Sequence, residues 1–513
     1  FCSAPPGVPP LFWWHHEASN TTILSTWHPG GYGGDTPADV AVVGDTGFLP
    51  LWFGDNLGAP NATVVHDDLA GIRAAFPNAT LIFSSLDEAA AALAADPAAA
   101  SLPTLTSEIG DTWMYGVAAD PLKTARTRAI YRARDAHPEI SVGDSYLFDL
   151  VASKLVEHTW GGDSKTFLHD NGNWSNRDFD AARDDWNYRV MEETWAEQLA
   201  YTDLALALAP PPMVDELATA FATLDAVDAP SLAGYRPVSL LPNGGAAVRL
   251  PGLADRVFFD ARGSYRPPGG GLGFRFLYHT YDAADYARFL GYYMWPWGST
   301  GCNGDFGKVN VSLAKPTSAL WQTSLQAVWT ADNSVWLLLT PDDKRAMVDY
   351  GAPGQVYLQL NFSEAVGSVT ATGELRVLDK RPTRLPEATF LSFGVDEAVP
   401  WWSLSKLGYQ VNASTVVLNG SQAIHGVDDQ GFAAPGLLNV TSLDASLVVL
   451  GDPSPFPTLE PVSSPPRTAS LLLHNNAWTA NYPNWWPYGG GSGGVASGSY
   501  KVRVAATFSS THS

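Results

Sequence analysis

Glu157-His158-Thr159-Trp160-Gly161-Gly162-Asp163-Ser164-Lys165-Thr166 is the stretch from which the reading of this chain works outward. A helical pattern carried by Asp149, Leu150, Lys154, Leu155 and Val156 runs into it and stops at two glycines. A histidine at a helix-to-loop junction suits a metal ligand, because the loop lets the ring turn toward a cleft while the helix fixes its root. The same residues also suit a plain helix end, with Gly161 stopping the helix and Trp160 packing beneath it. The residues before and after this junction decide what kind of fold it sits in.

Upstream, residues 1–115 alternate short strands and helices. Thr22-Ile23-Leu24-Ser25-Thr26, Ala41-Val42-Val43 and Thr80-Leu81-Ile82-Phe83-Ser84 read as strands. Leu69 to Phe76 and Leu86 to Leu93 read as helices. Such alternation predicts a parallel, barrel-like α/β layer, whose functional groups lie in the loops after the strands. Trp52-Phe53-Gly54-Asp55-Asn56 and Ser107-Glu108-Ile109-Gly110-Asp111-Thr112-Trp113 are two such loops. Residues 116–225 read as a helical bundle: Leu122 to Arg134, Ser145 to Glu157, and a long helix from Phe179 to Ala209 that Pro210-Pro211-Pro212 ends. In the third, Trp186, Val190, Trp195, Leu199 and Leu206 are spaced for one buried side. From about residue 226 to 513, short runs such as Val335-Trp336-Leu337-Leu338-Leu339 and Val356-Tyr357-Leu358-Gln359-Leu360 alternate with Gly, Pro, Asn and Asp. That texture predicts antiparallel β-sandwich structure. The fold class is therefore multidomain: α/β, then α, then a large antiparallel β region.

Composition narrows the partners. The 513 residues carry a net charge of −22, from 30 Lys and Arg against 52 Asp and Glu. A nucleic acid or an anionic membrane needs a positive footprint, so neither is expected, and no apolar run is long enough for a membrane span. The 19 Trp, 19 Tyr and 22 Phe suit stacking on sugars as well as large β-sheet cores. Asn20, Asn61, Asn78, Asn173, Asn310, Asn361, Asn412, Asn419 and Asn439 all begin Asn-x-Ser/Thr. Nine sequons spread along the chain point to the secretory route and N-glycosylation. Cys2 and Cys302 either bridge each other or Cys2 pairs elsewhere. The start at Phe1, without methionine or signal peptide, reads as a processed or partial chain.

Ordered blocks then bring in a resemblance. They are Pro9-Pro10-Leu11-Phe12, Phe53-Gly54-Asp55-Asn56, Glu108-Ile109-Gly110-Asp111-Thr112-Trp113 with Asp120-Pro121-Leu122-Lys123, and Glu157-His158-Thr159-Trp160. Further along come Trp195-Ala196-Glu197-Gln198, Arg381-Pro382-Thr383-Arg384-Leu385-Pro386-Glu387-Ala388, His425-Gly426-Val427-Asp428 and Leu473-His474-Asn475-Asn476-Ala477-Trp478. With them the chain resembles secreted proteins related to glycoside hydrolase family 38, the zinc-dependent retaining α-mannosidases. The resemblance implies that His158 is the late zinc-ligating histidine of that family, in a place where the family reads His-His-Asp and this chain reads Glu157-His158-Thr159. It implies that Gly54-Asp55-Asn56 stands where the family carries its acid/base in Gly-Asp-Asp; the second acid is Asn56 here, and Asp55 is the surviving carboxylate. The family's His-x-Asp pair and nucleophile lie upstream of anything matching Pro9-Pro10, so a second chain or segment would have to carry that half of the catalytic domain.

Retaining hydrolysis needs two carboxyl groups about 5–5.5 Å apart. Asp55 and Asp111, each after an expected strand, are the catalytic candidates. Asp55 equally suits an Asx turn, and Asp111 a helix cap. Asn56, Trp113, Trp160, His474 and Asn475 are the candidate substrate contacts, and His158 the candidate zinc ligand. His15-His16 has the look of a metal motif, but adjacent residues of a strand face opposite sides. The functional expectation is a secreted, N-glycosylated glycoside hydrolase acting on a polysaccharide or glycoprotein glycan once its N-terminal half is supplied. The alternative is a non-catalytic glycan-binding or structural component of an extracellular assembly.

Overall fold

The computed structural model describes residues 8–17, 19–28, 34, 36–50, 58–106, 113–169, 172–267, 270–293, 307–396, 401–406, 409–412, 424–426, 431–456, 466–479, 481–488 and 498–509. The chain forms two compact units, Phe1–Gly110 with Val416–Asn419, and Asp111–Thr415 with Gly420–Ser513. The helices and β-sheets that read as separate regions in the sequence both lie in the second.

In the first unit, Leu11–His16 pairs antiparallel with Thr21–Thr26 and parallel with Thr104–Leu105. Among the described residues the expected parallel layer is thus one parallel pair within a three-stranded sheet, which does not close into a barrel. Helix α1 (Ala62–Ala75) starts where the Asn61 side chain accepts the Thr63 amide, and α2 (Leu86–Ala95) where Ser85 and Glu88 form a reciprocal capping box. Leu11, Ala41, Val43, Leu93 and Ala99 make the small core. Residues 80–84 read as a strand but take no strand pairing, and Ile82 and Phe83 stay 80% and 71% exposed. Their β-branched and aromatic composition favours a strand only when a neighbour accepts the ladder; no described strand of this unit lies beside them.

The second unit opens with helices α3 (Pro121–Ala136), α4 (Val142–Leu155), α5 (Ser164–Phe167), α6 (Asn176–Ala182), α7 (Trp186–Ala207) and α8 (Pro211–Asp225), with α9 (Ala283–Tyr293) inserted later among the strands. The expected helix from Phe179 to Ala209 is two. The chain leaves helical geometry at Asp185, which precedes the first residue of α7, and Trp186, expected on the buried side, is 64% exposed. Ile130, Phe148, Leu155, Ala205, Met213 and Leu217 pack the bundle core.

Two antiparallel sheets follow. Among the described residues the larger runs Tyr409–Asn412, Ser403–Lys406, Phe432–Ala434, Leu438–Ser442, Gly498–Ser509, Ser368–Lys380, Gln355–Ala365, Ser334–Pro341, Thr323–Ala331, Arg236–Val238. The other runs Ile424–Gly426, Leu447–Leu450, Thr468–Asn475, Glu387–Gly394, Leu272–Thr280, Tyr265–Arg266, Arg256–Phe259, Ala246–Arg249, with Ala319–Trp321 beside Leu272–Thr280. Their inner faces share one core: Phe274 of the second sheet meets Phe508 of the first, and Phe393 meets Phe432. This is the β-sandwich that the alternating pattern predicts. Glu387–Gly394 is buried at every position, so its polar side chains, Glu387, Thr389 and Ser392, need internal partners.

Candidate functional site

The junction after α4 is tied down by its own side chains. The Ser141 side chain caps the start of the helix by accepting the Asp144 amide. Past its end, the Glu157 carboxylate accepts hydrogen bonds from Lys154 Nζ at 2.7 Å, from the Thr159 amide at 3.0 Å and from Thr159 Oγ1 at 2.9 Å. Desolvation raises the Glu157 pKa, but the bonds from Lys154 and Thr159 outweigh it and hold the group below its ordinary value. His158 rides on this anchored loop with its side chain 49% exposed and Nδ1 3.3 Å from Glu157 Oε1.

Trp160 is buried, with 4% exposure. Its amide donates to the Asn481 carbonyl at 2.9 Å and its indole N–H to the Glu157 carbonyl at 2.9 Å. The Tyr482 ring meets it edge-on at 5.8 Å, and Lys123 Nζ stands 3.7 Å from the ring centre. The glycines serve packing rather than helix termination, since α4 has already ended at Leu155. A Cβ on Gly161 would lie 2.2 Å from the Trp195 ring, and the Gly162 amide donates to Thr194 Oγ1 at 2.8 Å.

Lys123 is held beneath Trp160 by Asp120, whose carboxylate accepts the Lys123 amide and the Tyr488 hydroxyl. The ammonium has no hydrogen-bond partner among the described residues. Burial lowers its pKa to about 7, with the Asp120 charge opposing. Burial raises the Asp120 pKa in turn, against its hydrogen bonds from Tyr488 and Lys123.

The segment 474–488 links this junction to the sandwich. His474 and Asn475 are fully buried. His474 meets Trp486 edge-on at 4.9 Å, and burial first, then the Lys380 and Lys308 charges, push its pKa well below the usual imidazole value. Asn475 Oδ1 accepts the Ala477 amide at 3.1 Å. Beside them lies a polar network that the sequence reading did not single out. Lys380 Nζ pairs with Glu387 Oε1 at 2.5 Å, both fully buried, and the Tyr278 hydroxyl donates to Glu387 Oε2 at 2.6 Å. Asn476 accepts the Glu387 amide at 2.9 Å and donates to the Thr383 and Leu385 carbonyls. Lys308 Nζ donates to the Arg384 and Asn484 carbonyls at 2.7 and 3.2 Å. The sequence signal was a charge at each flank of a loop, Lys380 and Glu387, the second opening a strand with no other charged residue.

Trp160 therefore meets the segment that carries His474 and Asn475, through Asn481 and Tyr482, while His158, two residues before Trp160, is placed by its contacts with Glu157 and Thr159. Trp113 begins a 3-10 helix, Trp113–Ala119, which packs against Thr468–Asn475; within it, a Cβ on Gly116 would lie 2.1 Å from the Tyr482 ring. Asp55, Asn56 and Asp111 lie outside the described residues, as do Cys2 and Cys302. His15 and His16 bond separate hydroxyls, Thr22 Oγ1 at 2.8 Å and Ser19 Oγ at 2.7 Å. Among the described residues no three or more His, Cys, Asp and Glu side chains converge to hold a metal. Those residues alone do not fit a zinc ion.

Residues 117–369 match the family model described as a domain of unknown function, DUF5054. No curated protein matches the chain. Among solved structures, an alpha-mannosidase from Enterococcus faecalis V583 is similar over 98% of this chain and 69% of its own, with 10% sequence identity and a TM-score of 0.46. The Slr1438 protein from Synechocystis sp. PCC 6803 is similar over 55% of this chain and 97% of its own, with 11% identity and a TM-score of 0.22. At these values neither likeness assigns a role to any residue here.

Proposed function

We propose that this chain belongs to a secreted, N-glycosylated protein that hydrolyses glycosidic bonds of a glycan by an α-mannosidase-like retaining reaction. In this reading His158 is one ligand of a zinc ion, and the other ligands come from outside the described residues. The observation that carries it is the pairing of His158 Nδ1 with the Glu157 carboxylate at 3.3 Å. A carboxylate on one ring nitrogen is how metal-binding imidazoles are oriented for ligation through the other. Glu157 is itself fixed by Lys154 and Thr159, so the imidazole is aimed from a rigid base. Asp55 is assigned as the proton donor and Asp111 as the partner carboxylate. Asn56, Trp113, Trp160, His474 and Asn475 complete or brace the sugar site; the burial of Trp160, His474 and Asn475 favours bracing for those three.

The reading also supplies a second segment for the first unit. Ile82 and Phe83 are 80% and 71% exposed, an apolar pair that a further strand from additional polypeptide would cover. Secretion rests on the sequons: Asn20, Asn61, Asn78, Asn310, Asn361 and Asn439 are exposed, Asn173 and Asn412 half-buried, and none of these eight is buried.

The test is hydrolysis of 4-nitrophenyl α-D-mannopyranoside by the protein purified from its native source, with zinc measured by atomic emission on the same sample. Release of nitrophenol with stoichiometric zinc supports the proposal; an inactive, zinc-free protein defeats it. The second reading, a non-catalytic glycan binder, has its own observation: Thr159 stands where the resembled family carries an acid, and spends both its amide and its hydroxyl on Glu157.

A further inference from the structure

Away from the His158 loop, the sandwich opens at one end into a cavity of about 160 Å³. It lies where the turn before Arg256–Phe259 meets the two-residue turn Val366-Gly367, which joins Gln355–Ala365 to Ser368–Lys380. Residues of the shared core make the floor of the cavity and the turns make its rim. Leu253, Val257, Val369 and Phe508, each buried, line the floor. Asp255, Arg256, Glu364 and Ser368 line the rim.

Tyr265 stands between floor and rim. Its residue is 1% exposed, its ring wedged edge-on against Phe362 and Phe508 at 5.2 Å each. Yet it lines the cavity, and its hydroxyl makes no hydrogen bond among the described residues. A buried tyrosine ordinarily finds a partner for its hydroxyl. Burial first, and the Glu364 charge second, raise its pKa, so the group keeps its proton and can donate. Glu364 Oε2 accepts the Ala254 amide at 2.6 Å, which joins the two turns across the cavity. Asp255 and Arg256 form no ion pair among the described residues.

We propose that this cavity binds a single neutral hexopyranose. Its volume is below the roughly 300–1,000 Å³ of pockets for drug-sized ligands, so it takes one ring and not an oligosaccharide. Carboxylates at Asp255 and Glu364 accept from vicinal hydroxyls, while Arg256, Ser368 and Tyr265 donate to ring and hydroxyl oxygens. The apolar floor receives the C–H face of the sugar. Two carboxylates against one guanidinium disfavour an anionic ligand. The site is independent of the reaction proposed above: it uses none of the same residues, and an inactive protein would still carry it.

The experiment is saturation-transfer NMR on the whole, N-deglycosylated protein with methyl α-D-mannopyranoside, methyl α-D-glucopyranoside and methyl β-D-galactopyranoside, and with glycine as a zwitterionic control. Tyr265→Phe keeps the ring packing and removes only a hydroxyl without a partner among the described residues, so it folds as the parent does. Glu364→Gln keeps the shape and removes the charge. Binding of at least one sugar, weakened roughly fivefold in Tyr265→Phe as for one neutral hydrogen bond, and weakened also in Glu364→Gln, with unchanged thermal midpoints, supports the site. Three outcomes each overturn it: no transfer to any of the three sugars, equal transfer in parent and Tyr265→Phe, or binding of glycine in their place.

Discussion

The Lys123 ammonium lies 3.7 Å from the centre of the Trp160 ring, buried and without a hydrogen-bond partner among the described residues. This contact joins α3 to the loop that carries His158, and it makes the junction sensitive to pH. Burial lowers the Lys123 pKa to about 7, whereas in the unfolded chain it stays near 10.4. Between these values the unfolded state holds a proton that the folded state has lost, so stability rises with pH across that window. The contribution is at most about 1.4 kcal/mol per pH unit and vanishes above the unfolded value. Lys123→Met should remove this slope and raise the thermal midpoint most at pH 7 and below. Parallel midpoint-versus-pH curves for parent and variant would refute the assignment.

Gly161 carries a steric prediction. A methyl group there would stand 2.2 Å from Trp195 Cδ1, so the indole or the loop must shift. Gly161→Ala should cost about 1–3 kcal/mol, the usual range for overpacking, and alter the near-UV circular dichroism of the tryptophans. An unchanged spectrum and midpoint would show that the loop has slack.

Lys380 and Glu387, paired at 2.5 Å and fully buried, predict an asymmetry. Glu387→Ala leaves a buried ammonium unpaired and should destabilise by about 3–5 kcal/mol. Replacing both at once, Lys380→Met with Glu387→Leu, should cost much less, because no charge is then stranded. Comparing the thermal midpoints of the single and double variants decides it; equal losses would mean that the pair's geometry, not its charge, matters.

Glycan occupancy tests the secretory assignment. The exposed Asn20, Asn61, Asn78, Asn310, Asn361 and Asn439 should carry glycans in the native protein. Asn173 should not, since its Nδ2 donates to the Tyr188 hydroxyl at 3.1 Å inside the helical region. Peptide mass mapping before and after enzymatic N-glycan removal reads each site. A native protein without any occupied sequon would remove the assignment.

Much of this organisation was legible along the chain. The α/β, α, then β order follows from local periodicity, and the start of α2 after Ser85 was read where it lies; α4 starts three residues before the expected Ser145, and the prolines read as ending one helix also open α8. The break between Ala182 and Trp186 was not legible, because an apolar spacing runs across it and hides the Asp185 start of α7. Residues 80–84 have the composition of a strand, but a ladder needs a partner that local sequence does not specify. At the candidate site, the sequence singled out His158, Trp160, His474 and Asn475, and of the first two it is Trp160 that meets the segment of the other two, at Asn481 and Tyr482. It did not disclose that Trp160 is clamped between Lys123 and Tyr482, or that Lys380 and Glu387 meet. Those contacts join different elements, in the case of Tyr482 hundreds of residues away, or close a loop whose path only the tertiary structure sets.

The central claim is that His158, aimed by Glu157, serves a sugar-cleaving centre. The most direct measurement is 4-nitrophenyl α-D-mannopyranoside hydrolysis and zinc content for the complete protein and its His158→Ala variant, with the thermal midpoint of each. The account predicts that His158→Ala loses zinc and at least about 100-fold in kcat/KM, the upper end of what losing only an outer-shell partner of a metal ligand costs, while the midpoint holds because the half-exposed ring contributes little to the core. A variant that keeps both zinc and hydrolysis, or a parent protein with neither, would contradict it.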